Sequence, residues 1–343
     1  MTDAYRPIPL PDPATWSGAA RLAGGPMRFD RVERLSRTVP PQLLPLPAIP
    51  PDALSALTSP RPAMAGVAMD RPQIMGILNV TPDSFSDGGR FTDPAAAVAQ
   101  ALAMVAAGAA IIDIGGESTR PGAAPVARAD EVARVVLVIA ALRAVSDVAI
   151  SIDTRKAAVA QAALAAGASM VNDVSALTHD PAMAGVVARA GVPLCLMHAQ
   201  GTPQTMQADP RYDDVLLDVF DWLAARIAAA VDAGIARDRL IVDPGIGFGK
   251  TVAHNLALLR GLALFHGLGC PILLGASRKG FIGVIGQAAK VGERLPGSLA
   301  VALHGAAMGV QIIRVHDTFE TRQALSLHQA LGGTDHGTET VRD

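Results

Sequence analysis

The chain has few aromatics, 3% of its 343 residues, and only two cysteines, Cys195 and Cys270. With no C-x-x-C and no His/Cys pair nearby at metal-ligand spacing, both cysteines read as inert thiols in apolar surroundings. Neither sign of charge dominates. A formal net charge of -2 provides no general pull toward nucleic acid. No run of about eighteen uninterrupted apolar residues occurs, so no membrane span is expected. The first residues, MTDAYRPIPLPDP, lack a basic segment leading into an apolar run. Export is therefore not expected, and the cytoplasm is the expected location. Also missing are G-x-S-x-G, H-E-x-x-H and any serine with a histidine close by, so a covalent acyl-transfer or metalloprotease chemistry finds no support. What remains is substitution driven by electrostatics and positioning.

Half of the residues are hydrophobic, enough for a large core in a soluble globular protein. Glycine is plentiful, and one glycine-rich stretch, DPGIGFGKT at 243–251, resembles a phosphate-binding loop. A P-loop needs four residues between its first glycine and Gly-Lys-Ser/Thr, whereas here three separate Gly245 from Gly249. The dinucleotide fingerprint fails as well, because its third glycine arrives one position early. The stretch requires another explanation.

About half of the 25 prolines fall within residues 1–70. Clusters such as PIPLPDP and VPPQLLPLPAIPP read as unable to sustain a helix or a central strand. The expectation is a proline-rich N-terminal extension, an extended arm with a small structured element in which Trp16, Met27, Phe29, Val32 and Leu35 could pack. From residue 71 to 333 short apolar runs alternate with Ala-rich stretches of helical period, and residues 334–343 form a tail. The strand candidates are 74–80, 111–115, 149–153, 169–173, 193–198, 239–245, 271–277 and 311–317. Helical stretches lie between them, often ending in glycine. Eight strand–helix units of this kind predict a parallel sheet covered on both faces, hence an α/β fold of the (β/α)8 TIM-barrel type. An open doubly wound sheet is the alternative that periodicity leaves.

In this register the polar residues keep one phase. Asn79, Asp113, Asp153, Asn172, Asp173, His198, Asp243, Ser277, Arg314 and His316 all stand at strand ends or just after them, where a barrel's loops converge on one cavity. An Asp or Asn in such a place can equally be a turn former or helix cap. Arg120, Arg278, Lys279, Arg314 and His316 bring positive charge to the rim, which suits an anion such as pyrophosphate. Asp153, Asn172 and Asp243 offer donors and acceptors among apolar strand residues, which suits a flat heterocycle with a polar edge.

The motifs that carry these residues closely resemble those of the dihydropteroate synthase family. They are ILNVTPDSFSDGGRF at 77–91, DIGGESTRPGA at 113–123, SIDTRK at 151–156, VND at 171–173, MHAQGTPQTMQ at 197–207, DPGIGFGK at 243–250, SRKGFIG at 277–283 and RVHD at 314–317. The resemblance implies a pterin-binding TIM barrel with DPGIGFGK as its sixth strand-to-helix loop. It implies a transferase of folate biosynthesis, the target of sulfonamides, that condenses 6-hydroxymethyl-7,8-dihydropterin diphosphate with 4-aminobenzoate to give 7,8-dihydropteroate and pyrophosphate. By the same likeness Asp153, Asn172, Asp243 and Lys279 bind the pterin, with Met197 and Phe248 on its faces. Thr119, Arg120, Arg314 and His316 meet the diphosphate, and Asn79 helps hold Mg2+. Phe85, Thr119, Pro121 and Ser277 shape the aminobenzoate site. Asp153, Asp243, Lys279 and Arg314 form the catalytic set. His198 reads as structural, Asp113 as a support of the second loop, and Lys250 has no phosphate role. One departure is Gly280, where many relatives carry a hydroxyl or a larger side chain. It bears on affinity for aminobenzoate and its sulfonamide mimics. The resemblance further suggests a homodimer acting on small molecules. The rival readings are a catalytically silent pterin-binding paralogue and a pterin-dependent corrinoid methyltransferase.

Overall fold

The computed structural model describes residues 3–80, 94–118, 123–202 and 205–332. Phe85, Thr119, Arg120 and Pro121 lie outside the described residues.

The N-terminal extension is a folded unit. β1 (Ala4–Leu10), β2 (Ala20–Arg21) and β4 (Gln42–Pro45) all pair antiparallel with β3 (Arg28–Leu35), and α1 (Pro51–Thr58) follows. This is more order than an arm. The central strand β3 contains no proline. Pro7 and Pro9 flank a register shift in β1, and Pro51 occupies the first turn of α1, where no N–H is needed. The prolines thus sit where a ladder or helix tolerates them. Leu22, Phe29, Val32, Ile49 and Leu57 form the unit's own core. Arg37 ties it to the barrel through ion pairs of 2.7 Å to both Asp218 and Asp221. Buried Arg61 donates to the carbonyls of Ala56 (2.8 Å) and His266 (2.9 Å).

Eight parallel strands follow: β5 (Gln73–Asn79), β6 (Ala109–Gly115), β7 (Ala149–Asp153), β8 (Met170–Asp173), β9 (Leu194–Met197), β10 (Leu240–Asp243), β11 (Leu273–Leu274) and β12 (Ile312–Val315). Their spatial order is β10-β9-β8-β7-β6-β5-β12-β11, and the N–H of Val242, donating to Pro271 O at 3.0 Å, closes the ring between β10 and β11. The sheet is therefore a barrel. Outside it pack α2 (Pro94–Ala106), α3 (Arg128–Arg143), α4 (Ala157–Ala165), α5 (Met183–Ala190), α6 (Val215–Asp232), α7 (Val252–Arg260), α8 (Gly280–Ile285), α9 (Leu295–Ala307) and α10 (Thr318–Leu331). No helix among the described residues is long and apolar enough to cross a membrane.

Several strands are shorter than the sequence pattern predicts, and one helix is broken. The seventh strand is the extreme case, keeping only Leu273–Leu274 of the expected 271–277, the two residues that pair with Ile312 and Ile313 of β12. The expected helix HNLALLRGLALFHG breaks at Gly261, where a Cβ would collide with Leu216 of α6, and continues as a 3-10 turn, Leu262–Leu268.

A strand turns alternate side chains to opposite faces, and this decides where the site can lie. Leu78, Ile112, Ile114, Ile152, Leu196, Val242 and Val315 face the helices. One residue from each strand, Met75, Ile111, Ala149, Met170, Cys195, Ile241, Leu273 and Ile312, forms an apolar layer within the barrel, and Met64 and Met69 pack against it. The barrel floor is thus dry and filled. Two residues further along the same faces the side chains change character.

Candidate active site

Stepping two residues up from the apolar layer leads to Asp113, Ser151, Asn172, Met197, Asp243, Gly275 and Arg314, and two beyond Ser151 to Asp153. Period two alone brings these groups to one level of the barrel mouth. Arg314 Nε donates to Asp113 Oδ2 at 2.6 Å and its Nη2 to Asp153 Oδ2 at 2.8 Å. Asn172 Nδ2 donates to the same Asp113 oxygen at 3.1 Å. Asp113 Oδ1, Asp153 Oδ1 and Ser151 Oγ are buried and have no partner within the described protein. Orphaned polar atoms of this kind cost stability, and their concentration at one mouth points to a ligand that pairs them.

Opposite them, Asp243 Oδ1 accepts from the N–H of Gly245 at 2.7 Å. Its Oδ2 stands 3.7 Å from the point where a Cβ on Gly275 would lie, and Arg314 Cδ stands 3.9 Å from the same point. Gly275 therefore borders both charged groups at ordinary contact distance. Met197 is buried, whereas Phe248 and Lys279 are half-buried. Lys279 Nζ donates to Ile246 O and lies 4.3 Å from the centre of the Phe248 ring, an attraction of cation for ring face.

Burial governs the charges here. It pushes Asp153 up to about 7 against the pull of Arg314, with Asp113 and Glu131 adding repulsion. Burial also raises Asp243, opposed by Lys279. The enclosed Lys279 Nζ is brought down to about 7, with Asp243 resisting. Arg314 is disfavoured by burial, yet Asp113 and Asp153 hold it firmly cationic.

The glycine-rich loop after β10 has a steric explanation. Gly245, Gly247 and Gly249 adopt φ of +67°, +83° and +63°. A Cβ on Gly245 would overlap His198 O, and one on Gly249 would come within 2.6 Å of Gln200 O. Only glycine fits both the left-handed backbone and the close approach. The loop wraps the edge of the mouth and presents Phe248 to it.

Ser277 and His316 meet across the rim, Oγ to Nδ1 at 3.0 Å. Between Ser277 and Lys279, Arg278 sits at φ +59°. Its N–H donates to Ser298 Oγ at 2.9 Å, its carbonyl accepts from Arg294 at 3.0 Å, and its guanidinium is paired with Asp317. Arg278 is therefore engaged in holding the turn rather than free at the rim.

Asn79, at the end of β5, is half-buried. Its Oδ1 and Asp153 Oδ2 each lie 3.8 Å from the point where a Cβ on Gly115 would stand. Among the described residues no three His, Cys, Asp or Glu side chains form a metal cluster. A single amide oxygen at the mouth is a poor site for zinc. It fits Mg2+, which binds one or two protein oxygens and takes the rest of its ligands from phosphate and water.

Ser151 is the residue that sequence reasoning missed, and Asp113, already placed among the strand-end polar groups, was given too small a part. Asp113 was expected to support the second loop, but it stands at the centre of the network, because its position two beyond Ile111 turns it inward. Strand alternation carried that signal. The base of the second loop is instead tied by Lys156, whose Nζ reaches Glu117 (3.0 Å), Glu131 (2.6 Å) and Val126 O (2.7 Å). His198 lies behind the mouth, buried, its ring edge-on to Trp222 at 4.9 Å.

Comparison with known proteins agrees with this geometry. The sequence profile of the family described as "Pterin binding enzyme" matches residues 75–316. The dihydropteroate synthase of Escherichia coli strain K12 is 48% identical over 256 residues, which cover 74% of this chain and 89% of the relative. A solved Xanthomonas albilineans dihydropteroate synthase with 4-aminobenzoic acid is 46% identical, with a TM-score of 0.74 and coverage of 79% of this chain and 97% of that one. A structure of the same organism's enzyme in complex with 7,8-dihydropteroate has 43% identity and a TM-score of 0.72, covering 78% of this chain and 97% of that one.

Proposed function

The chain belongs to the dihydropteroate synthase family of pterin-binding enzymes, and from that membership and the mouth's geometry we propose how its residues divide the work. The protein is a transferase that joins 6-hydroxymethyl-7,8-dihydropterin diphosphate to 4-aminobenzoate, forming 7,8-dihydropteroate and releasing pyrophosphate. The observation that carries the reading is the inward ring of Asp113, Asp153, Asn172 and Asp243, closed by Arg314, with polar atoms left over for a ligand. A pyrophosphate-release assay with and without 4-aminobenzoate tests it. Release without aminobenzoate, or none with it, rejects the reading.

Asp153 and Asp243 accept from the pterin's N–H edge and Asn172 adds a donor and an acceptor. Met197 and Phe248 pack on the ring faces. The aniline nitrogen attacks the exocyclic methylene carbon as the C–O bond to the diphosphate breaks. The diphosphate leaves with that electron pair, and the nitrogen then sheds a proton. Cationic character at the methylene is tolerated beside two carboxylates, while Arg314 and His316 are assigned to the leaving oxygens and Lys279 to the pterin. Asn79, with Thr119 and Arg120, is assigned to the diphosphate end, and Asn79 Oδ1 would hold Mg2+ there. When bound, Mg2+ supplies positive charge to the departing oxygens. Ser277, with Phe85, Thr119 and Pro121, is assigned to the aminobenzoate.

Two properties follow from this reading. Pterin affinity depends on Asp153 being ionised, and its value of about 7 places the change near neutrality. Below that pH the protonated carboxyl loses its acceptor. Affinity for 6-hydroxymethylpterin is therefore expected to fall about tenfold per pH unit on the acid side and to level off above it. Titration by pterin fluorescence checks this, and a flat profile from pH 5.5 to 8 contradicts it. A Cβ on Gly280 would meet nothing within 4 Å, and its φ is not in the left-handed region. Gly280→Ser should therefore be accommodated without strain. The hydroxyl is expected to lower KM for 4-aminobenzoate about fivefold, one hydrogen bond's worth, with pterin affinity unchanged.

A cytoplasmic homodimer also belongs to the proposal. Exposed Val284, Ile285 and Val291, together with Phe319, Leu327 and Leu331 on α10, are apolar surface of the kind a second copy would cover.

A further inference from the structure

Lys250 ends the glycine-rich loop, is almost wholly buried and has no part in the assignments above. Its Nζ lies 2.9 Å from His198 Nδ1, 3.4 Å from His198 O and 2.9 Å from Phe248 O. Three acceptors surround an atom that, as ammonium, has three protons to give. A neutral amine would turn its lone pair toward one of them. Burial and the neighbouring Lys250 keep the His198 ring neutral, pulling it down to about 2, and in the tautomer that carries its proton on Nε2 the ring accepts from the ammonium at Nδ1. That ring is wedged edge-on against Trp222, and Tyr212 next to it donates to Gly249 O at 2.7 Å. The loop is thus gripped from behind at two successive carbonyls, one of them through a buried cation.

The charge matters because of what lies in front of it. Burial, with Lys279 adding repulsion, pulls Lys250 well below the ordinary lysine range, and Asp243 opposes both; reciprocally, Lys250 is one of the cations that favour the Asp243 carboxylate. Asp243 also faces Lys279 on the loop after β11, Arg314 on β12 and, beneath it, the Cys195 thiol of β9. Lys250 itself faces His198, with Tyr212 and His254 packed edge-on behind, and feels the repulsion of Lys279 from across the mouth. Of these groups only Lys250 is both cationic and bonded to the Phe248 peptide.

We propose that Lys250 is a positioning residue for the reaction, an ammonium sealed behind the barrel mouth that fixes the Phe248 peptide and places positive charge behind Asp243. This rests on the pterin-binding reading above. It also gives the Lys of DPGIGFGKT a purpose: the residue faces away from phosphate and supports the wall on which the pterin lies.

The test compares wild type with Lys250→Met, which keeps the stem and removes the charge, and with Tyr212→Phe, which loosens the same loop without changing charge. The probe is 6-hydroxymethylpterin, titrated by fluorescence between pH 5.5 and 8.5, with steady-state KM measured for both substrates. Lys250→Met is expected to weaken pterin binding about tenfold at pH 7 and to move the acid limb, set by Asp153 and Asp243 together, upward by about one pH unit. KM for 4-aminobenzoate should stay unchanged. Tyr212→Phe should leave the acid limb in place. A folded Lys250→Met protein with a wild-type limb overturns the inference, and so does an equal shift in Tyr212→Phe. Wild-type protein labelled with 15N at lysine provides a check that needs no variant: at pH 7 Lys250 must show a protonated ammonium nitrogen, and a neutral amine there overturns the proposal. Failure of wild type to bind the pterin would instead reject the underlying reading.

Discussion

Asp243→Asn is expected to lower kcat/KM by about three orders of magnitude or more while leaving the protein as stable as wild type. Asparagine keeps the oxygen that accepts from Gly245 N–H at 2.7 Å, so the turn into the glycine-rich loop survives. The other oxygen, on the side of Gly275 and Arg314, becomes an NH2 group. A donor then faces the pterin's own N–H donors, and buried polar mismatches of this sort discriminate by about 10^4-fold or more. The carboxylate charge that tolerates a developing cation is lost as well. Stability moves the other way. Burial raises Asp243 above the usual carboxylate range, so at neutral pH its ionised form costs folding energy that asparagine does not. Steady-state kinetics beside thermal melts check both halves. Wild-type turnover contradicts the assignment, and a large fall in melting temperature would show that Asp243 serves the fold instead.

Arg314→Met carries the largest expected cost in stability. Its guanidinium bonds Asp113 Oδ2 and Asp153 Oδ2 together, and both carboxylates are buried. Removing the cation leaves two uncompensated acids in the barrel mouth, a loss of about 3–5 kcal/mol at pH 8. The pH dependence has a definite sign. Asp153 lies near 7 even with Arg314 present, above its unfolded value of about 3.9, so the folded state binds its proton more tightly. Its contribution is favourable in acid and is lost as pH rises through about 7. Without Arg314 that window moves higher. The variant's deficit should therefore be greatest at pH 8 and shrink toward pH 5.5, as measured by urea denaturation at the two values. Activity should vanish at both. A deficit that grows in acid would contradict the account.

Much of the architecture was legible because it depends on local rules. Apolar runs with β-branched residues, separated by Ala-rich helical stretches, specify eight parallel strands wherever they fold. The consistent placing of Asp153, Asn172, Asp243, Arg314 and His316 at strand ends put them at one face before any coordinates were known. Three readings went astray for reasons that are not local. The extension read as an extended arm with a small structured element, yet it folds as a four-stranded sheet and a helix, with Pro7, Pro9 and Pro51 at a bulge and in a first helical turn, positions only the partner strands define. The seventh strand keeps two residues because only Leu273 and Leu274 find ladder partners on β12. Asp113 read as loop support, although its strand face aims it at Arg314 from 201 residues away.

What the sequence by itself determined was chemistry and order: which side chains exist, that strands and helices alternate, and at which end of each strand the polar groups stand. Periodicity constrains a residue relative to its own element, so these properties needed no neighbours. The tertiary structure alone decided who meets whom. Ring closure between β10 and β11 brings Asp243 beside Gly275, and the pairing of β12 with β5 sets Arg314 across from two acids. It also seals Lys250 behind the wall. Charge states near neutrality belong to this second class, because a pKa is fixed by what burial removes and by the cations and anions that folding places within a few ångströms.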